Sequence, residues 1–118
     1  MLYGTGNVNS LVPGDSLVLL DGTETLATNA ASISFVRGYS PSANDGGTTF
    51  NASGMPASSV IDVQVANADV AGLYTTTGQL VPDTNGNATY TDVGRSPFWR
   101  LQVSSATAAT GSKVVANR

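Results

Sequence analysis

The chain has 118 residues, five of them basic and eight acidic, giving a formal charge of −3, and it contains no histidine and no cysteine. That length makes one domain, able to bury roughly two-thirds of its unfolded surface. The missing residue types exclude disulfides, thiolate sites, Ser-His-Asp and Cys-His catalysis and histidine-held metals, while five scattered basic residues make no phosphate-tracking stripe and no apolar run approaches the ~20 residues that span a bilayer.

Residues 1–15, M-L-Y-G-T-G-N-V-N-S-L-V-P-G-D, have no period and are rich in glycine and asparagine. They read as an extended arm whose Leu2, Tyr3, Leu11 and Val12 would gain by docking on something apolar, either its own domain or a neighbour. Ser16 to Leu20 is a short apolar strand. The turn signal D-G-T at 21 to 23 follows, and Glu24 to Ala27 is expected to return as a second strand. In Ala31 to Arg37, Ile33 and Phe35 share one face. Ser40 to Gly47 is a loop, and Thr48 to Asn51 is β-prone.

Ser59 to Val65 gives the strongest strand signal. Ile61, Val63 and Val65 point one way, and Asp62 and Gln64 the other. Leu73 to Thr77, with Leu80 and Val81, is a Thr-rich strand interrupted by Gly78. Pro82 to Asn87 is a tight turn, after which Ala88 to Val93 is expected to pair back. In the strand Phe98 to Ser104, Trp99, Leu101 and Val103 form the core face. Phe98, Arg100 and Gln102 face outward or toward a partner. Residues 105–111 read as a loop, and Lys113 to Asn117 as a last short strand. No stretch of twelve carries apolar residues at helical spacing with caps. The sum is an all-β fold: a small antiparallel β-sandwich, jelly-roll-like, of about eight short strands over residues 16–118.

Candidate chemistry is sparse. Asp83, Asn85 and Asn87 alternate as in the start of a calcium loop, but position 6 is Ala88 and position 12 is Gly94, where an EF-hand needs Gly and Glu. A hairpin turn accounts for the same residues. Carboxylates at Asp15, Asp21, Glu24, Asp45, Asp62, Asp69, Asp83 and Asp92 sit in expected turns or on solvated faces, and nothing selects two as a catalytic pair. Arg95, beside Gly94 at a corner, is read as structural, satisfying carbonyls or pairing with Asp92 or Asp62. No catalytic residue, metal ligand or cofactor is assigned, and no enzyme activity is expected. Only 11% of residues are charged, against about 25% in an average protein. Serine, threonine, asparagine and glycine replace the ions, giving a neutral surface suited to close contact.

The succession I-D-V-Q-V-A-N-A-D, then Y-T-T, then Y-T-D-V-G-R and S-P-F-W-R-L-Q-V, over residues 59–104, resembles small β-sandwich virion proteins of tailed bacteriophages, the head decoration or cement proteins. The layout also resembles discoidin-like binding domains, but those carry aromatic and basic ligand loops where the loops here are rich in serine, asparagine and glycine. The first resemblance implies a non-enzymatic protein on the capsid surface of a virion. It would bind the major capsid protein and neighbouring copies of itself, as an oligomer on the particle, with no nucleic acid and no membrane as partner. Partner contacts are expected at Leu2, Tyr3, Leu11, Val12, Phe98 and Arg100. The alternative is a carbohydrate- or receptor-binding module of a phage tail or baseplate, stacking sugars on Phe98 or Tyr39. No basic segment precedes an apolar one, so no signal peptide is expected.

Overall fold

The two longest alternating runs of the sequence become the paired central strands of one sheet. The computed structural model describes residues 10–11, 14–28, 31, 35–37, 47–94, 96–105 and 110–118. In chain order the strands are β1 (Ser10–Leu11), β2 (Ser16–Asp21), β3 (Phe35–Arg37), β4 (Thr48–Ser53), β5 (Val60–Ala66), β6 (Thr75–Leu80), β7 (Ala88–Asp92), β8 (Phe98–Ser105) and β9 (Lys113–Asn117). One sheet has the order β1-β3-β8-β5-β6 and the other β2-β9-β4-β7. Every pairing is antiparallel except the parallel pair β1–β3. The two sheets pack face to face as the expected small β-sandwich.

Register decides what is buried. Ile61 lies opposite Val103, Val63 opposite Leu101 and Val65 opposite Trp99. Because side chains alternate along a strand, these six point into the sandwich, and Asp62, Gln64, Arg100 and Gln102 point out. The second sheet contributes Leu17, Leu19, Phe50, Ala52, Val114 and Ala116 to the same core. Phe35 stacks on Trp99 with centroids 5.5 Å apart, and meets Phe50 of the facing sheet at 6.1 Å. Such ring pairs add roughly 0.5–1.5 kcal/mol each beyond the area they bury.

Three expectations are corrected. Glu24 to Ala27 forms no strand. Asp21 Oδ1 accepts the Thr23 N–H at 2.9 Å and the Thr23 hydroxyl at 2.6 Å, and Glu24 Oε2 accepts the Asp21 N–H at 3.2 Å. These local bonds compete with a ladder. The chain leaves the sheet there and sets Leu26 in the core, while β2 pairs with β9 instead.

Second, Ala88–Asp92 does not pair with the Thr-rich strand before it. It pairs with β4 in the other sheet, so the turn at 83–87 carries the chain across the sandwich. The strand expected from Leu73 starts at Thr75, after a single 3-10 turn at Ala71–Leu73. β6 and β7 then close one side of the sandwich through a tight contact. A Cβ on Gly78 would lie 2.2 Å from Tyr90 Cζ. The Tyr90 hydroxyl donates to the Thr77 carbonyl at 2.9 Å, beside the bulge where Val63 and Gln64 shift register against β6.

Third, Leu11 is not a surface contact. It is 2% exposed and belongs to the core. Its segment is tied down by the other end of the chain: the Gly14 N–H donates to the Arg118 carbonyl at 2.6 Å, the Arg118 N–H to the Asp15 carbonyl at 3.0 Å, and the Arg118 guanidinium to the Leu11 carbonyl. Of the two dockings open to this apolar side chain, its own domain is the one realised.

The contact between Gly78 and Tyr90 predicts a specific non-additivity. Gly78→Ala forces the ring aside and breaks its hydrogen bond, lowering stability by about 1–3 kcal/mol. The same change made in a Tyr90→Ala background costs much less, because the obstructing ring is gone. Urea unfolding of the four proteins checks this.

Candidate partner-binding surfaces

The sandwich presents two outer sheet faces of different chemistry. On the five-stranded sheet, the outward register sets Val36 beside Phe98 and Phe98 beside Ala66. The next row holds Thr76, Gln64 and Arg100, and the one after it Gln79, Asp62 and Gln102. Side-chain bonds knit these rows together. Arg100 Nε donates to Gln64 Oε1 at 2.8 Å, Gln64 Nε2 to Gln102 Oε1 at 2.9 Å, and Gln79 Nε2 to Asp62 Oδ1 at 2.9 Å. Gln64 is 7% exposed although it points away from the core.

The connection between β5 and β6 reaches the Arg100 end of this row. The Arg100 guanidinium lies over the Tyr74 ring, 4.2 Å from its centroid. The Tyr74 hydroxyl donates to Asp69 Oδ1 at 2.7 Å. A cation–π contact of this kind is worth about 0.5–1 kcal/mol at a partly exposed site. Its larger effect is to hold a long side chain in one orientation. Val70 and Leu73, in the same connection, are both more than half exposed. The face therefore has a fixed guanidinium, a half-buried phenylalanine and two exposed aliphatic residues.

Two rows on the outer face of the four-stranded sheet are uncharged. One row across it reads Ser16, Asn117, Thr49, Thr91, and the next reads Val18, Val115, Asn51, Thr89. These eight side chains carry no charge. The Ser16 hydroxyl donates to Asn117 Oδ1 at 2.6 Å, the hydroxyls of Thr49 and Thr91 lie 2.9 Å apart, and the Thr89 hydroxyl donates to Asn51 Oδ1 at 3.3 Å. Cross-strand pairs of this type stabilise the sheet modestly. They also satisfy polar groups that a partner would otherwise have to satisfy. A further row is charged, with Lys113 between Asp21 and Ser53.

Most of the carboxylates are engaged in building the fold. Asp83 Oδ1 accepts the N–H groups of Asn85 and Asn87 at 2.8 and 3.0 Å. The oxygen that a calcium ion would need thus has backbone donors aimed at it. Asp92, 6% exposed at the end of β7, accepts the Trp99 indole N–H at 2.6 Å and the Gly94 N–H at 2.9 Å. Among the described residues, no three acidic side chains gather to hold a metal ion. Asp45, Arg95, Tyr39, Leu2, Tyr3 and Val12 lie outside the described residues.

Of the expected contact residues, then, Phe98 and Arg100 share one outer face, and Leu11 is in the core. Sequence reasoning missed Tyr74 and Gln64, which fix the guanidinium. No local signal marks them, since they meet Arg100 only through strand register and a crossing connection. The uncharged rows were missed for a similar reason: their residues come from four strands spread over the whole chain. Comparison with protein-family models, curated proteins and solved structures returned no match.

Electrostatics gives one prediction. The Thr23 hydroxyl and N–H, and Glu24, hold the Asp21 carboxyl below its ordinary range. A carboxyl depressed by folding adds stability above its unfolded pKa of about 4, and that stability disappears as the pH falls through the lower folded value. Asp21→Asn is therefore expected to be less stable than the parent at neutral pH, with the gap closing on acidification below about pH 4. Thermal unfolding of both proteins across that range measures it, and a gap independent of pH contradicts the assignment.

Proposed function

We propose that the chain is a non-enzymatic structural protein of a phage particle, decorating and stabilising the capsid by binding the lattice of the major capsid protein. The observation that carries this reading is the pair of uncharged rows on the outer face of the four-stranded sheet. Pressing a charged surface against a partner strips water from ions and costs several kcal/mol for each one left unpaired. The rows Ser16–Asn117–Thr49–Thr91 and Val18–Val115–Asn51–Thr89 present no ion to desolvate. Interface cores are depleted in charged residues for the same reason. Repetition over a symmetric lattice converts modest contacts of this kind into stable attachment.

Phe98 and Arg100, on the opposite face, are the contacts proposed for neighbouring copies, with Leu2, Tyr3 and Val12 of the amino-terminal segment as further candidates. A fixed guanidinium suits a chain in which acids outnumber bases by eight to five. The carbohydrate-binding alternative has less support. It would stack sugars on Phe98 or Tyr39, and Phe98 is half-buried between Val36 and Ala66.

Two measurements on purified particles test the proposal. The copy number of the chain, from quantitative mass spectrometry, is expected to scale with the capsid subunits, and a number matching the far smaller tail assemblies contradicts it. Placing a charge in the uncharged rows with Asn51→Asp is expected to lower occupancy about tenfold or more while leaving the isolated fold intact.

A further inference from the structure

The turn between β6 and β7 contains the chain's only Asn-Gly pair, Asn85-Gly86. It is fixed at three points. The Asp83 carbonyl accepts the Gly86 N–H at 3.1 Å, the Asp83 N–H donates to the Asn87 carbonyl at 2.9 Å, and Asp83 Oδ1 accepts the N–H groups of Asn85 and Asn87. Gly86 adopts a φ of 80°, in the left-handed region that favours glycine. The Gly86 carbonyl accepts the Met55 N–H at 3.0 Å, clasping the turn to the connection between β4 and β5.

The asparagines differ in what surrounds them. Asn51, Asn67 and Asn87 precede alanine and Asn117 precedes arginine, so each following residue has a Cβ that crowds its backbone nitrogen. The carboxamides of Asn51 and Asn117 are also engaged, by Thr89 and Ser16. Asn85 is exposed, and among the described residues its carboxamide has no hydrogen-bond partner. It is free to rotate toward a neighbouring nitrogen that no side chain shields.

We infer that Asn85 is a site of spontaneous covalent modification, in which the chain converts this residue to aspartate and isoaspartate. The Gly86 backbone nitrogen gives up its proton and bonds to Asn85 Cγ. The Cγ–Nδ2 bond breaks, and the side-chain nitrogen leaves as ammonia with that proton, closing a five-membered imide. Water then opens the ring. Addition at Cγ leaves aspartate in the normal backbone, and addition at the backbone carbonyl routes the chain through the side chain as isoaspartate. No oxidant, reductant or cofactor enters. The one bond that must break first is that from Gly86 N–H to the Asp83 carbonyl, a single hydrogen bond at the solvent-exposed turn.

The product alters the turn in two ways. A new carboxylate appears two residues from Asp83. In the isoaspartyl form the backbone is one carbon longer between Asp83 and Gly86, so the bonds that hold the five-residue turn and its clasp on Met55 no longer fit together. The modification is therefore a slow, one-way loosening of the junction between the β6–β7 turn and the β4–β5 connection.

Peptide mapping after incubation of the folded protein at mildly alkaline pH tests this. The expected result is a steadily growing acidic species whose modified peptide contains residue 85, formed faster than any product at Asn51, Asn67 or Asn87, and absent from Asn85→Gln. Hydrogen exchange at the Met55 amide is expected to be faster in the isoaspartyl fraction than in Asn85→Asp, which carries the same charge on a normal backbone. If the folded chain modifies Asn85 no faster than its other asparagines while the urea-unfolded chain does, the turn protects the site and the inference is overturned.

Discussion

A buried side-chain hydrogen bond links the two sheets of the sandwich, and much of the structure is arranged around it. The Trp99 indole N–H, on β8 of one sheet, donates at 2.6 Å to Asp92 Oδ2, at the end of β7 of the other. Both residues are buried, so neither can fall back on water. Hydrophobic burial holds the two sheets together without regard to direction. A buried directional bond fixes which residue of one sheet lies over which residue of the other. Phe35 stacks on the same indole and Phe50 meets Phe35 from the facing sheet, so the aromatic centre and the polar link set one alignment.

That alignment determines both outer faces. With Trp99 inward, alternation sends Phe98 and Arg100 outward, and pairing with β5 brings Gln64 beside Arg100. On the second sheet, Asp92 inward sends Thr91 outward into the neutral row with Thr49, Asn117 and Ser16. Asp62, Asp69, Asp83 and Asp92 each accept hydrogen bonds within the domain, as does Asp21. The decoration reading rests on the uncharged rows that this alignment turns outward.

The parts of the fold legible in the sequence are those where alternation is strict. V-I-D-V-Q-V and F-W-R-L-Q-V specify their faces unaided, because a slip of one residue would expose every apolar side chain. Lys113–Asn117 is equally readable as a strand, though nothing local shows that it sits between β2 and β4. The failures share a cause. Glu24–Ala27 looks β-prone, but side-chain bonds at Asp21 and Glu24 take the chain out of the sheet. P-D-T-N-G-N looks like a hairpin turn, yet its two flanking strands belong to different sheets, joined by the long-range contact of Gly78 with Tyr90. The guanidinium site was half legible: Arg100 and its orientation followed from strand period, whereas Tyr74 and Gln64 reach it only through tertiary structure.

The claim that the Trp99–Asp92 bond aligns the sheets is tested most directly by a double-mutant cycle of Trp99→Phe and Asp92→Ala in urea unfolding. Trp99→Phe leaves a buried carboxylate oxygen without its donor, at a cost of about 1–3 kcal/mol beyond the lost ring volume. Once Asp92 is also removed, that part of the cost vanishes. A coupling free energy of about 1 kcal/mol or more is therefore expected. Additive losses, with no coupling between the two positions, would contradict the account.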